Sequence, residues 1–400
     1  MLFLTSYPFH TSLLLRFQLF LFTIFFISTT TTVYAQTTVT IYNDRPRYDI
    51  NNQYVDAHDG MILYNNGIYY LYGEFYNETT GATFPWPNAP LLSVYTSVDL
   101  VSWTFRGNCL TSNATSIVTT QWIPNVFYDD KTGRFIMWFG TGDWTSAVSY
   151  DGIAFNLANI HFTSRLGGGT DGTGIYIDDD DNKTGYVIFS ALVNNPGFTG
   201  HVVSIEKLSD DYLTSSKINV SGFFPDGYVE SPALFKRNNI YYATYGSCCC
   251  ACRGGGGIVV FTSPSINGPW TRQDPYGDVN CLVANATICG GFGARTTDRS
   301  SLVYNAQWWG VSLIPTLVNN IPTLTYLFTG RRWLSGLNNP SQCDDMCGNN
   351  GNGAACTAPN YYLKSDLDVW YPFEFDTNGN ILPLRNLPNF TLILTNQTIN

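Results

Sequence analysis

The sequence has 400 residues, of which 12% are charged, 16% are aromatic and 36 are glycines. The charged share is about half of that in an average globular protein, and such a composition is typical of a β-rich extracellular chain. The net charge of −10 argues against nucleic acid and anionic membranes as partners, and it favours a neutral ligand.

The first 35 residues predict a secretory signal. Arg16 precedes the apolar run FQLFLFTIFFI at 17–27, and small residues follow it up to Ala35. The run is short for a bilayer span, so we expect cleavage after Ala35, with an uncleaved membrane anchor as the alternative. Residues 36–400 are expected to form a single secreted domain without a membrane partner.

Glycosylation and disulfide signals agree with export. Nine of the ten cysteines lie after residue 245, and in an oxidising compartment they predict disulfides whose pairing the sequence does not give. A zinc site in CCCAC (248–252) is the alternative interpretation, which secretion disfavours. Seven N-x-S/T glycosylation sites follow the signal, at Asn77, Asn113, Asn182, Asn219, Asn285, Asn389 and Asn396.

One short strand recurs five times along the chain. GIYYLYG ends at Gly73, GRFIMWFG at Gly140, TGYVIFS at Ser190, NIYYATYG at Gly246 and LTYLFTG at Gly330. Each follows another strand-like run across a turn that is rich in Asn, Asp or Gly, which is typical of a hairpin. Five such units of about four strands predict an all-β fold, a five-bladed β-propeller. A β-sandwich is the alternative, but a sandwich does not repeat such a module.

Carboxyl groups recur before the first strand of these units. His58 and Asp59 precede it in the first unit, Asp171 in the third and Glu230 in the fourth, and the amide of Gln307 takes this place in the fifth. The inner strands of a propeller line one channel, so these side chains are expected to converge. Hydrolysis of a glycosidic bond needs such groups, one protonated to release the leaving oxygen and one ionised to activate water.

Other chemistries lack their motifs. The chain has no G-x-S-x-G, no H-E-x-x-H and no glycine-rich loop followed by Lys-Ser/Thr. The run DDDDN (178–182) lacks the spacing of a calcium loop and predicts a solvated turn. No metal or cofactor is therefore expected.

The residues expected to bind a sugar are His58, Trp122, Trp144, Arg332 and Trp333.

Three segments resemble glycoside hydrolase family 43, namely AHDGMILYNNGIYYLYGE, GYVESPALFKRNNIYYATYG and WYPFEFDTNGNILPL. The resemblance covers nearly all of residues 40–386 and is strongest to a branch of exo-acting β-1,3-galactosidases. It implies a five-bladed propeller and an inverting hydrolase. It also implies that Glu230 is the general acid, that Asp171 tunes the pKa of this acid, and that Asp59 is the general base.

The galactosidase-like branch implies a second pair of residues for handling water. These enzymes have glycine where this chain has Asp59, and they use a glutamate after the first aromatic strand and a glutamine in the last blade. Glu74 and Gln307 occupy those two places. Activation of water by Asp59 or by Gln307 therefore stays open, with Glu74 expected to position water or substrate. The run GRRW (330–333) stands where aspartate-arginine-tryptophan is common.

Together these features predict a monomeric, secreted, inverting exo-glycosidase. Its partner is expected to be a neutral glycan that contains galactose, arabinose or xylose, with β-1,3-galactan as the first choice. One alternative is a non-catalytic glycan-binding propeller. Another is a structural protein of a cell coat, which would not explain the carboxyl groups.

Overall fold

Antiparallel strands make up nearly all of the described secondary structure. The computed structural model describes residues 36–77, 91–111, 115, 117–118, 121–140, 143–167, 170–195, 198–224, 229–247, 258–273, 306–333, 335, 363–382, 384–385 and 387–395. The strands are β1 (Gln36–Tyr42), β2 (His58–Asn65), β3 (Ile68–Phe75), β4 (Leu91–Ser97), β5 (Thr104–Asn108), β6 (Trp122–Asp129), β7 (Arg134–Gly140), β8 (Trp144–Ser149), β9 (Asn156–Phe162), β10 (Thr170–Asp178), β11 (Thr184–Asn195), β12 (Phe198–Leu208), β13 (Ser215–Phe223), β14 (Val229–Arg237), β15 (Ile240–Ser247), β16 (Val259–Ser263), β17 (Thr271–Gln273), β18 (Gln307–Val318), β19 (Ile321–Arg332), β20 (Leu367–Pro372) and β21 (Asn389–Thr395). A short 3-10 helix, Leu363–Ser365, precedes β20.

The strands form five sheets, which are the five blades of a propeller. Blades one to four each contain four consecutive strands, starting with β2, β6, β10 and β14, and blade five has the strand order β1-β21-β18-β19-β20. The first strands of the blades line a central channel of about 820 Å³. The recurring runs of the sequence are the second strands, β3, β7, β11, β15 and β19. The prediction of a five-bladed β-propeller is therefore confirmed.

A ribbon made of the first and last strands closes the ring. The strand β1 pairs with β21 along its whole length, and β21 touches β18 at Thr316 and Leu394. The ribbon packs between blade one and blade five, which joins the first and the last described segments at one seam. Its buried apolar side chains are Val39, Ile41, Phe390, Leu392 and Leu394.

Aromatic and aliphatic side chains fill the spaces between neighbouring blades. Trp138 and Trp144 of blade two pack there against Val187 and Phe189 of blade three. The ring of Trp144 lies 5.4 Å from that of Trp138 and 5.1 Å from that of Phe189, and the side chain is 1% exposed. The prediction that Trp144 binds a sugar was wrong, because its ring belongs to this core.

The inner hairpin of every blade carries a β-bulge at the same level. The register shifts between His58 and Met61 in blade one, and equivalent shifts occur in the other four blades. Three non-glycine residues at these bulges have positive φ angles, namely Asp59 (57°), Ile123 (47°) and Ser231 (52°). Such a bulge re-aims the side chains beside it. In blade one the glycine that ends the recurring run leaves room for the bulge. A Cβ on Gly73 would lie 2.2 Å from a backbone atom of Ala57.

Several sequence predictions concern segments outside the described residues. These are the signal (1–35), three glycosylation sites (Asn113, Asn285 and Asn396) and nine of the ten cysteines; Cys109 is buried and free. The other four glycosylation sites, Asn77, Asn182, Asn219 and Asn389, are exposed. The described segments lie in one compact unit, Ala35–Asn400. Within them, no helix is long and apolar enough to cross a membrane.

Closure by the ribbon predicts a large loss of stability when its core is truncated. Ile41→Ala should lower the free energy of unfolding by about 2–5 kcal/mol, because it leaves a cavity at the seam. Ile50→Ala is the matched control and should change it by no more than about 0.5 kcal/mol. Ile41 is 2% exposed and Ile50 is 62% exposed. Urea unfolding of both variants measures the difference, and equal losses would contradict the role of the seam.

Candidate active site

The bulges bring four of the predicted site residues to one end of the channel. Glu230 begins the bulge of blade four, Gln307 lies beside that of blade five, and Asp59 is within that of blade one. Glu74 faces this level from β3, where it pairs with His58. All four are buried. The carboxyl groups and the amide that the sequence separates by up to 248 positions are thus neighbours around one opening.

Glu230 is held by the amide of Gln307. The Nε2 group of Gln307 donates to Glu230 Oε1, and Trp333 Nε1 donates to Gln307 Oε1 at 2.5 Å. Both ends of the amide are therefore engaged. Trp333 is 2% exposed, and its indole contacts Gln307. Its predicted contact with a sugar stays a prediction.

Arg331 supplies the positive charge of the site, and the sequence analysis missed it. Its guanidinium donates to Asp59 Oδ2 at 2.8 Å and to Asp366 Oδ2 at 3.1 Å. It also lies over the rings of Trp333 and Tyr76, at 3.8 and 4.8 Å from their centroids. Arg331 is 0% exposed. Such a cation compensates carboxylates that burial would otherwise disfavour.

Arg332 lies on the opposite side of the strand. Its guanidinium donates to the carbonyl of Asn43 at 3.2 Å and to the hydroxyl of Tyr371 at 2.5 Å. Successive residues of a strand face opposite sides, so Arg331 and Trp333 share the side of the site and Arg332 does not. The prediction that Arg332 binds substrate was wrong for this reason.

A tyrosine joins the two carboxyl groups of blade one. Tyr76 Oη lies 2.5 Å from Glu74 Oε2 and 3.3 Å from Asp59 Oδ2. Glu74 Oε1 accepts the backbone N–H of Ile123 at 3.0 Å, which links blade one to blade two. A continuous polar network therefore runs from Glu230 through blade five to Glu74.

Burial has the largest effect on the pKa values of Asp59, Glu74 and Tyr76. Burial raises the pKa of Asp59 above its usual value, although the charge of Arg331 reduces this rise. Burial together with the negative charge of Asp59 raises the pKa of Glu74 well above its usual value. The pKa of the Tyr76 hydroxyl is also raised well above its usual value, first by burial and then by the two neighbouring acids. The hydroxyl is therefore a neutral donor at ordinary pH.

His58 lies between two carboxylates. Its Nδ1 is 2.7 Å from Asp368 Oδ2 and its Nε2 is 3.6 Å from Asp56 Oδ1. Burial lowers the pKa of His58, but the charges of Asp368 and Asp56 outweigh this, and the net pKa is raised. The prediction that His58 binds sugar is corrected, because both ring nitrogens face protein carboxylates.

The remaining predicted residues are Asp171 and Trp122. Asp171 lies in β10, where the inner hairpin of blade three shifts register, and its side chain is outside the described residues. The next residue, Gly172, packs so closely on blade four that a Cβ there would lie 2.8 Å from Ser231 Cα. Trp122 begins β6, is half-buried, and pairs with Gly140 at the level of the other site residues. Its role as a sugar platform stays a prediction.

The network missed by the sequence analysis includes Tyr76, Arg331 and Asp366. No motif marks Tyr76, because it follows the strand β3 and is placed by Asp56, whose carboxylate accepts its backbone N–H at 3.0 Å. The sequence did contain a signal for Arg331, because the alternation of side chains along a strand places it on the same side as Trp333. Within the described part of the chain, no group of three or more His, Cys, Asp or Glu side chains is arranged to hold a metal ion.

Comparison with known proteins identifies the family. Residues 53–277 match the family model of glycosyl hydrolases family 43. The chain belongs to this family. The resemblance read from the sequence and the predicted class of enzyme, a glycosidase, are thereby confirmed. No curated protein matches the chain.

Solved structures share the propeller fold with this family 43 chain. The exo-β-1,3-galactanase of Clostridium thermocellum has 20% identity and a TM-score of 0.62, over 88% of this chain and 66% of its own. That of Phanerochaete chrysosporium with galactose has 19% identity and a TM-score of 0.62, over 88% and 68%. A family 43 β-1,3-galactosidase with galactodeoxynojirimycin has 18% identity and a TM-score of 0.60, over 87% and 99%. The chain thus spans about two thirds of the two galactanases.

Removal of the buried cation should destabilise the protein. Arg331→Met leaves Asp59 and Asp366 without their common partner, and we expect a loss of about 3–5 kcal/mol in the free energy of unfolding at pH 7. Arg385→Met removes an exposed arginine that pairs with Glu374, and it should cost about 1 kcal/mol or less. Urea unfolding compares the two variants. A loss for Arg331→Met as small as that of the control would contradict the charge compensation.

The raised pKa of His58 predicts a pH-dependent contribution to stability. A folded pKa above the unfolded value of about 6.5 means that the stabilisation is complete below that pH and is lost as the pH rises through the folded pKa. The difference in unfolding free energy between wild type and His58→Gln should therefore shrink as the pH rises above about 6.5. His161→Gln, which removes an exposed imidazole, is the control. A difference that grows with pH would contradict the assignment.

Proposed function

We propose that this chain is a secreted, inverting exo-β-1,3-galactosidase that releases galactose from β-1,3-galactan. One observation carries the proposal: two buried carboxyl groups of the same opening have partners of different charge. Glu230 is held by the neutral amide of Gln307, whereas Asp59 is held by the cation of Arg331. Arg331 favours the ionised form of Asp59, which suits a base, and the family resemblance assigns the acid to Glu230; inverting hydrolysis requires this division.

In the proposed reaction Glu230 gives its proton to the glycosidic oxygen as the bond between that oxygen and the anomeric carbon breaks. A water molecule attacks the same carbon from the opposite face and loses a proton to Asp59. The product is α-galactose, Glu230 is left ionised and Asp59 protonated, and exchange with solvent restores both. The family resemblance assigns the tuning of Glu230 to Asp171, and the close packing of Gly172 on Ser231 supports this.

The free oxygen of Asp59 supports its choice as base. Its Oδ2 contacts Arg331 and Tyr76, while its Oδ1 is buried and has no hydrogen-bond partner among the described residues. A buried carboxylate oxygen is unfavourable without a donor, and an attacking water supplies one. Gln307 uses both ends of its amide on Glu230 and Trp333. These two contacts support our assignment of Gln307 as a positioning residue for the acid.

Galactose as the sugar is supported by the structural neighbours. They are described as exo-β-1,3-galactanases and a β-1,3-galactosidase, one with galactose and one with galactodeoxynojirimycin. Trp122, half-buried beside the opening, is our candidate for the ring that stacks on the sugar. Glycans that contain arabinose or xylose are the alternative substrates to include in every assay.

Export is supported by the apolar run at 17–27 and by the four exposed glycosylation sites. We expect a mature protein that begins at Gln36, carries N-linked glycans and has disulfides among its cysteines.

The catalytic assignment predicts the anomer released and the effect of one substitution. Proton NMR of β-1,3-galactotriose with the wild type should show α-galactose first. Glu230→Gln should lower kcat by about 10³-fold or more, since it removes the acid. Glu374→Gln, at an exposed position, should retain wild-type activity.

Two outcomes would contradict the proposal. Initial release of β-galactose would exclude inversion. If the wild type cleaves neither galactotriose nor arabino- and xylo-oligosaccharides, the chain is not catalytic, and titration calorimetry with the same sugars would test the alternative of a glycan-binding propeller.

A further inference from the structure

The contacts of Tyr76 require more protons than its hydroxyl provides. Tyr76 Oη lies 2.5 Å from Glu74 Oε2 and 3.3 Å from Asp59 Oδ2. A hydroxyl carries one hydrogen, and an ionised carboxylate only accepts hydrogen bonds. If both acids were ionised, one of the two oxygen pairs would have no hydrogen between them. A separate hydrogen bond in each pair therefore needs a second proton, carried by one of the two carboxyl groups.

The neighbouring charges decide which acid carries this proton. Arg331 donates to Asp59 Oδ2 at 2.8 Å, and such a cation favours the ionised form of Asp59. Glu74 accepts a backbone N–H from Ile123 on Oε1, so Oε2 is left to bind the proton. Burial raises the pKa of both acids, and burial together with the negative charge of Asp59 places the pKa of Glu74 well above its usual value. The hydrogen bonds then run from Glu74 Oε2–H to Tyr76 Oη, and from Tyr76 O–H to Asp59 Oδ2.

We infer that Tyr76 is a positioning residue that keeps Asp59 ionised and oriented, with Glu74 behind it as a neutral carboxylic acid. The inference rests on the proposed function, in which Asp59 is the base, and it gives Glu74 a role other than contact with water or substrate. It also accounts for the presence of two carboxyl groups at the ends of one hairpin: only one of them is charged.

The position of Tyr76 is itself fixed. Asp56 accepts the backbone N–H groups of Tyr76 and Asn77 at 3.0 and 2.7 Å, and the Tyr76 ring lies under the guanidinium of Arg331. The hydroxyl therefore has one stable place between the two acids. The charged and titratable groups that act on Asp59 from the elements around it are Arg331, Tyr76, Glu74, His58, Asp368 and, through Arg331, Asp366.

The test compares Tyr76→Phe with Tyr72→Phe. Tyr72 is a buried tyrosine on β3 whose hydroxyl donates to the carbonyl of Gly152 at 2.7 Å, so its substitution removes a similar hydrogen bond away from Asp59. Loss of a donor to the ionised form raises the pKa of Asp59. The acid limb of the pH profile of kcat/KM for β-1,3-galactobiose should therefore move up by about one pH unit in Tyr76→Phe. A profile that coincides with those of the wild type and Tyr72→Phe would overturn the inference.

A direct titration separates failure of this inference from failure of the proposed function. The ¹³C carboxyl resonance of Asp59, assigned from its loss in Asp59→Asn, reports ionisation whether or not the protein is active. If the wild type cleaves no glycan but Tyr76→Phe still raises the titration midpoint of Asp59, the proposed function fails and Tyr76 keeps its role. If the midpoint is the same in both proteins, the inference fails even if the enzyme is active.

Glu74→Gln tests the neutral form of Glu74 in a protein that keeps Tyr76. A carboxamide Nε2 also donates to Tyr76 Oη, so the midpoint of Asp59 should stay within about 0.3 pH units of the wild type, a shift worth less than a weak hydrogen bond. If Glu74 is ionised in the wild type, the substitution removes a neighbouring negative charge and lowers the midpoint of Asp59. A clear downward shift would overturn the inference.

Discussion

One buried cation determines how the channel opening holds its carboxyl groups. Arg331 contacts Asp59 and Asp366 and lies over two aromatic rings, in a region where an isolated carboxylate would be strongly disfavoured. Arg331 belongs to blade five and Asp59 to blade one, so their ion pair crosses the seam at which the ribbon of β1 and β21 closes the ring. The same ion pair therefore compensates a buried charge of the site and connects the two blades that meet at the seam.

The same opening holds a strained backbone. Asp59, Ile123 and Ser231 have positive φ angles at equivalent bulges, and each such conformation costs on the order of 1–3 kcal/mol. Ile123 is the most unusual of the three, because a β-branched side chain strongly disfavours a positive φ angle. The aromatic cores between the blades hold these segments in place. The strained bulges orient two side chains toward the opening. Asp59 lies within its own bulge, and Glu230 directly precedes Ser231.

The fold could be predicted from the sequence because every blade of a propeller repeats the same strand pattern. The grouping of Glu230, Gln307, Asp59 and Glu74 could be predicted because equivalent positions of the inner strands converge. It failed where neighbours across blades decide. The indole of Trp144 has the same chemistry as a sugar platform, and only packing against blade three makes it core. Arg332 was a different kind of error, since the alternation of a strand already pairs Arg331 with Trp333. Tyr76 had no signal at all, because Asp56 places it.

The coexistence of Asp59 and Gln307 then has a structural explanation. Gln307 already accepts from Trp333 Nε1 and donates to Glu230, so its orientation is set by these two groups. Asp59 differs, because its Oδ1 has no partner among the described residues while Oδ2 takes the cation and the tyrosine. In the mechanism that we propose, the amide therefore positions the acid and the carboxylate activates the water. The two residues, which the family resemblance offered as alternatives, then have separate tasks.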